Sequence, residues 1–249
     1  MRCLTALSLS IALLSTPSLA ETTAEAPAPK LGPNAVPVTA DNAFLRANPA
    51  PDYWAFGPFV KPQFTTSACS IATVTAAVNG LSGLPPHAEN TVTTQPQMLE
   101  AVGNAEWAAL SAEGGDGVTF AQLEEFTKAA LNAKGMALTV SSFHPARADE
   151  ANLTEMRRLL TENEKAATDA LLIYFNQGVV TGDWDGPHIS LIGAYDAATD
   201  RVLILEVDQE WYVPYWTPAP VLLEAMVKPT SAEHGPLEGQ TGGFVRIGG

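Results

Sequence analysis

The second half of the chain switches from helical to strand-like periodicity, and this switch narrows the fold classes more than any other feature. Short runs dense in branched and aromatic residues, at 138–140, 171–175, 189–195, 202–207 and 244–247, are separated by Gly, Asp and Pro, the pattern of short strands bounded by turns. Before them the pattern is helical. From about 68 to 79 nearly every residue is small or apolar, which predicts a buried helix capped by Thr66 or Ser67 and stopped by Gly80. Thr119 with Gln122 forms a capping-box pattern ahead of a stripe of Phe120, Leu123, Phe126 and Ala130 that ends at Gly135. A third helix is expected over 152–165. Helices followed by hairpin-linked strands predict an α+β fold, with a helical N-terminal half packed on an antiparallel β-sheet.

The N-terminus carries Met1-Arg2, an apolar run through Leu14, and small residues at Ser18 and Ala20. This reads as a Sec-type signal peptide over 1–20, so a periplasmic or secreted protein is expected. No later stretch reaches about 18 consecutive apolar residues, so no membrane partner is expected after cleavage. Residues 21–50, rich in Ala, Pro and Thr, read as a flexible tether or partly draped arm, leaving 51–249 as the folded domain. Acids outnumber Lys and Arg 27 to 13, a net charge of −14 that loss of Arg2 makes more negative. Such a surface argues against nucleic acid or an anionic membrane as partner. Cys3 lies within the leader, so the mature chain has one thiol, Cys69, and no internal disulfide.

Cys69 sits at the predicted helix start, where unpaired N–H groups and the helix dipole favour a thiolate nucleophile. An inert cysteine is equally at home in a small apolar helix. Gln63, six residues upstream, shifts the balance, because its side-chain amide beside the Cys69 N–H supplies two donors for an oxyanion. A thiol also needs a base. His87, His144 and His234 adjoin Pro or Gly in loop-like sequence and read as surface residues, without metal-ligand spacing. His188 instead follows the turn-rich stretch 182–187 and opens a strand, which holds a ring rigidly at a cleft. The run 202–207 reads as its hairpin partner, and period two puts Glu206 and Asp208 on one face. Either acid is a candidate to orient the imidazole, against the plainer reading of solvated strand ends.

The segment "GPHISLIGAYDAATDRVLILEVDQEWYVPYWTPAPVLLEAM", residues 186–226, resembles the catalytic domain of the phytochelatin synthases, with Tyr212, Pro214 and Trp216 at the family's steps. Residues 63–81 resemble that family's nucleophile segment, glutamine included, and 119–135 and 243–245 also fit. The resemblance implies a papain-like cysteine protease fold over 51–249. It implies an enzyme that attacks the cysteinyl-glycine amide of glutathione, releasing glycine and forming a γ-glutamylcysteinyl thioester. Cys69, His188 and Glu206 take the triad positions and Gln63 the oxyanion hole, with no cofactor. The substrate it implies is a small thiol peptide, glutathione free or as a metal thiolate. The chain resembles the small bacterial members, which favour hydrolysis. The departures fall around the substrate: Glu206 stands for Asp, Gln209 and Asn176 for basic residues, Ser70 and Pro187 for glycines. Gln209, Asn176 and Ser70 are therefore the candidate substrate contacts. Two rival readings are a leader-peptidase-like enzyme and a non-catalytic papain-like binding protein.

Overall fold

A computed structural model describes residues 30–83, 87 and 92–248. The expected signal peptide lies outside the described residues. Seven antiparallel strands form one sheet in the order β1-β6-β5-β4-β3-β7-β2. They are β1 (Val36–Pro37), β2 (Thr139–Phe143), β3 (Ala170–Asn176), β4 (Pro187–Asp196), β5 (Arg201–Leu205), β6 (Tyr215–Pro218) and β7 (Gly243–Gly248). The interior strand β3 is buried at all seven positions. Both faces of the sheet are covered, so its sequence reads as a continuous apolar run rather than an alternation.

One face carries Leu172, Tyr174, Ile189, Leu191, Leu203 and Leu205 against the helices of the N-terminal half. Foremost among these is Cys69–Leu81, called α1 below. The other face carries Leu171, Ile173, Phe175, Ile192 and Ile204 against the helices Glu150–Asn163 and Ala219–Val227. The α+β class is as expected, with the helical N-terminal half on one face of the sheet and two later helices on the other.

Thr119 and Gln122 close a reciprocal capping box on Phe120–Ala133. The third helix begins at Glu150, two residues earlier than expected, because Asp149 caps it through the Asn152 N–H. Gly80 lies inside α1 rather than ending it. A Cβ there would sit 2.2 Å from the Phe56 ring, so this glycine serves close packing. The stretch 21–50 is described from Lys30 onward. There it runs along the sheet edge, with β1 paired to β6 at Val36↔Trp216.

The β4–β5 hairpin is the element that builds the site. Its turn is fixed by Asp200, which is held by Arg157 through two nitrogens and by the Tyr195 hydroxyl. The register shifts by one residue across Gly193. Without that bulge every residue beyond it would meet its neighbour on the opposite face, and the far end of the hairpin would be mispaired.

Candidate active site

Helix α1 opens at Cys69 with no side chain capping its N-terminus. The expected cap fails because both hydroxyls are used elsewhere: Ser67 Oγ donates to Gly115 O at 2.5 Å and Thr66 Oγ1 to Glu113 at 2.9 Å. The uncapped terminus therefore keeps its attraction for negative charge at the sulfur. Cys69 is partly exposed and lines a cleft of about 750 Å³.

His188 enters the same cleft from the start of β4, 3% exposed, with Phe175 edge-on at 5.7 Å. Its Nε2 lies 2.6 Å from Glu206 Oε1, so Nδ1 is the nitrogen left to serve the Cys69 thiol that lines the same cleft. Glu206 is fully buried just past β5. Its Oε1 also accepts from the Asp208 N–H at 2.7 Å, and its Oε2 accepts from Gln177 Nε2 at 3.2 Å. Burial alone would pull the imidazole down, but the Glu206 carboxylate and the neighbouring Cys69 outweigh it and hold His188 well above its ordinary value. Burial pushes the Glu206 carboxyl up, and the His188 charge and the donated N–H bonds bring it below the usual carboxylate range. The two shifts agree in direction: a buried carboxylate keeps the imidazole basic, beside a thiol at a helix N-terminus.

Gln63 borders the cleft beside Cys69. Its backbone N–H donates to Val207 O at 2.8 Å, tying the nucleophile's loop to the residue that follows Glu206. Its Nε2 donates to Thr66 O at 3.3 Å, and an amide nitrogen carries a second proton free for an oxyanion. A thiol, a basic imidazole and a side-chain amide lining one cleft can form and resolve an acyl-enzyme.

The model of the phytochelatin synthase family matches residues 37–235, more than half of the chain. The chain belongs to the phytochelatin synthase family. A curated relative is glutathione gamma-glutamylcysteinyltransferase 1 of Arabidopsis thaliana, 30% identical over 80 residues. That match covers 32% of this chain and 16% of the plant protein.

As a member of that family, the chain departs from expectation mainly around the substrate. The structure does not bring Ser70, Asn176 or Gln209 to the cleft. Ser70 is 1% exposed and accepts from the Trp107 indole at 2.9 Å, inside the helical layer. Asn176 caps a short helix through the Val179 N–H and donates to Asp185 at 2.7 Å. Gln209 donates to Glu206 O at 2.9 Å and so braces the acid's backbone. Asp208 borders the cleft but gives Glu206 its N–H rather than giving His188 its carboxylate. Sequence reasoning missed Gln177, one position after Asn176, whose only signal is a polar residue following an apolar strand. It also set His234 aside, yet that ring borders the cleft and bonds Asp185 O at 2.7 Å. His144 bonds Thr241 at 2.8 Å, away from it. Among the described residues, no three of His, Cys, Asp and Glu converge as metal ligands.

Proposed function

We propose that this protein is an exported glutathione γ-glutamylcysteinyl hydrolase or transferase working through Cys69, His188 and Glu206. One observation carries the reading: in a chain of the phytochelatin synthase family, a thiol at a helix start shares a cleft with a buried imidazole that lies 2.6 Å from a buried carboxylate. The curated relative's name supports glutathione as the γ-glutamylcysteinyl donor.

His188 takes the proton of Cys69, and the sulfur attacks the carbonyl between cysteine and glycine. The Cys69 N–H and the Gln63 amide stabilise the oxyanion. The C–N bond then breaks, His188 returns its proton to the departing glycine amine, and a γ-glutamylcysteinyl thioester remains on Cys69. Water, deprotonated by His188, attacks the thioester and releases γ-glutamylcysteine with the thiol restored. An amine of a second thiol peptide in place of water gives the transferase outcome. Glu206 holds the ring in one tautomer and stabilises its positive charge at both steps.

The test is mass spectrometry of purified protein incubated with millimolar glutathione. Free glycine with γ-glutamylcysteine is the expected product pair, and chain-extended peptide reports transfer. Absence of glycine, alongside a labelled Cys69 acyl-enzyme formed from an unrelated peptide, refutes the glutathione assignment in favour of a peptidase.

A further inference from the structure

Six carboxylates line the cleft, from Asp116, Asp183, Asp185, Asp208, Glu210 and Glu233, whereas among its lining residues Lys30 is the single lysine or arginine. Glutathione carries two carboxylates, and a site this acidic repels both unless a cation is placed among its walls. Gln209 and Asn176, which stand where the resemblance led us to expect basic residues, do not reach the cleft. Lys30 does, from the opposite direction in sequence, on an arm that composition alone marks as a tether.

The arm is pinned rather than loose. Lys30 N donates to Trp211 O at 2.9 Å, Ala35 N to Gly32 O at 3.1 Å and Val38 N to Pro214 O at 2.8 Å. Gly32 passes so close to Thr181 O that a Cβ would sit 1.8 Å from it. The ammonium is aimed as well: Lys30 Nζ lies 3.5 Å from Asp183 Oδ2 and 4.7 Å from the centroid of the Trp211 ring. Asp183 is itself bonded by the Tyr212 hydroxyl at 3.1 Å. An ammonium has three donors, and pairing with Asp183 leaves donors for a second carboxylate. The lysine side chain remains half exposed toward the cleft.

The geometry points to Lys30 as the residue that binds a substrate carboxylate, with Asp183 and the Trp211 face holding its ammonium in place. This deepens the glutathione reading and rests on it for the substrate's identity. The carboxylate is either that of glycine or the α-carboxylate of the γ-glutamyl residue.

Two measurements test it. Glycine release from glutathione is followed for wild type, Lys30→Ala and Lys30→Arg. Because the ion pair is half exposed and is made equally in ground and transition states, KM rises about fivefold in Lys30→Ala with little change in kcat. Lys30→Arg restores KM, which a loss of arm packing alone would not predict. With the glycine ethyl ester of glutathione, the wild-type and Lys30→Ala values converge if glycine's carboxylate is the one bound, and stay apart if it is the α-carboxylate. Independently of any peptide, alkylation of Cys69 by iodoacetate is compared with that by neutral iodoacetamide. The rate ratio falls about threefold in Lys30→Ala, since only the carboxylate reagent meets the lysine. A protein that leaves glutathione intact but shows this fall keeps the carboxylate site and loses only the glutathione reading. An unchanged alkylation ratio, or an unchanged KM where glutathione is turned over, overturns the assignment of Lys30.

Discussion

Replacing Glu206 with glutamine isolates what the carboxylate's charge contributes, because the surroundings accept the amide without rearranging the fold. The new carbonyl oxygen can stay where Oε1 is, accepting from His188 Nε2 and the Asp208 N–H. The new amide nitrogen then faces Gln177 Nε2, donor against donor. Gln177 Oε1, however, is buried with no partner, so turning that side-chain amide over presents an acceptor instead. Glu206→Gln therefore keeps the ring's tautomer and orientation and removes mainly the charge. At an effective dielectric of about 20, opposite charges about 4 Å apart attract by about 4 kcal/mol. The amide also avoids the carboxylate's desolvation cost, which offsets part of that attraction. A net loss of about 2–4 kcal/mol corresponds to a fall in kcat/KM of roughly 30- to 1000-fold.

The pH dependence carries a second signature. A carboxylate raises the imidazolium's pKa, so removing it lets His188 lose its proton at lower pH. The alkaline limb of the Cys69 alkylation profile, read with neutral iodoacetamide, therefore moves to lower pH in Glu206→Gln. Asp208→Asn, which removes no bond to the imidazole, is expected to change the rate less than about threefold. A folded Glu206→Gln protein with wild-type activity and an unmoved alkaline limb refutes the role given to Glu206, and the reverse ranking of the two variants transfers that role to Asp208.

Cys69→Ala abolishes both glycine release and thiol labelling, since the loss of a nucleophile costs several orders of magnitude, while circular dichroism and melting temperature stay at wild-type values. Gln177→Leu leaves Glu206 Oε2 without its buried donor and is expected to lower stability by about 1–3 kcal/mol in denaturant unfolding, together with a lower kcat. Asp52, fully buried against Asn163, has its carboxyl pushed up from 3.8 to about 9 by burial and by the charges of Glu164 and Asp169. The folded state thus keeps a proton that the unfolded chain loses. Its contribution is complete below pH 3.8 and is lost as pH rises through about 9, with a slope of about 1.4 kcal/mol per pH unit between. Asp52→Asn should flatten that slope in melting curves taken from pH 5 to 9, and an equal slope in both proteins rejects the buried neutral acid.

The parts of the site legible in the sequence are those where local pattern and tertiary position coincide. His188 opens a strand and Glu206 follows its hairpin partner, so period and turn chemistry were enough to bring them near one another. The cap of α1 was misread because Ser67 and Thr66 have suitable side chains, but the loop at 113–115 takes their hydroxyls, a contact no local pattern records. Thr94 and Gln97 form a second capping box, on Gln95–Val102, with the same Thr-x-x-Gln spacing as Thr119 and Gln122. β6 was hidden by Pro214 just before it and by Pro218, the last of its four residues, which interrupt the strand pattern. Gln177 and Lys30 were illegible for a different reason: Gln177 opens a five-residue helix too short to show a period, Lys30 lies outside any element, and each gains its role only from what the chain packs beside it.

How a glutamate serves where the family resemblance led us to expect an aspartate follows from the place where the β4–β5 ladder stops. The last pair is Leu191↔Leu205, and an unbroken register would set His188 opposite Asp208, with Glu206 opposite Ser190. The ladder does not continue. Ser190 Oγ takes Leu205 O at 2.7 Å, and the next carbonyl beyond Glu206, that of Val207, accepts from Gln63 N instead of from β4. With the chain turned away, the longer glutamate side chain reaches back to Nε2, and the Asp208 N–H folds onto the same carboxylate oxygen. The hydrogen bond that ends the ladder is thus also the one that anchors the loop leading to Cys69. The residues proposed as nucleophile, base and acid are positioned around one break in one strand pair, so a shift of the Gln63 loop is expected to move Cys69 and Glu206 together.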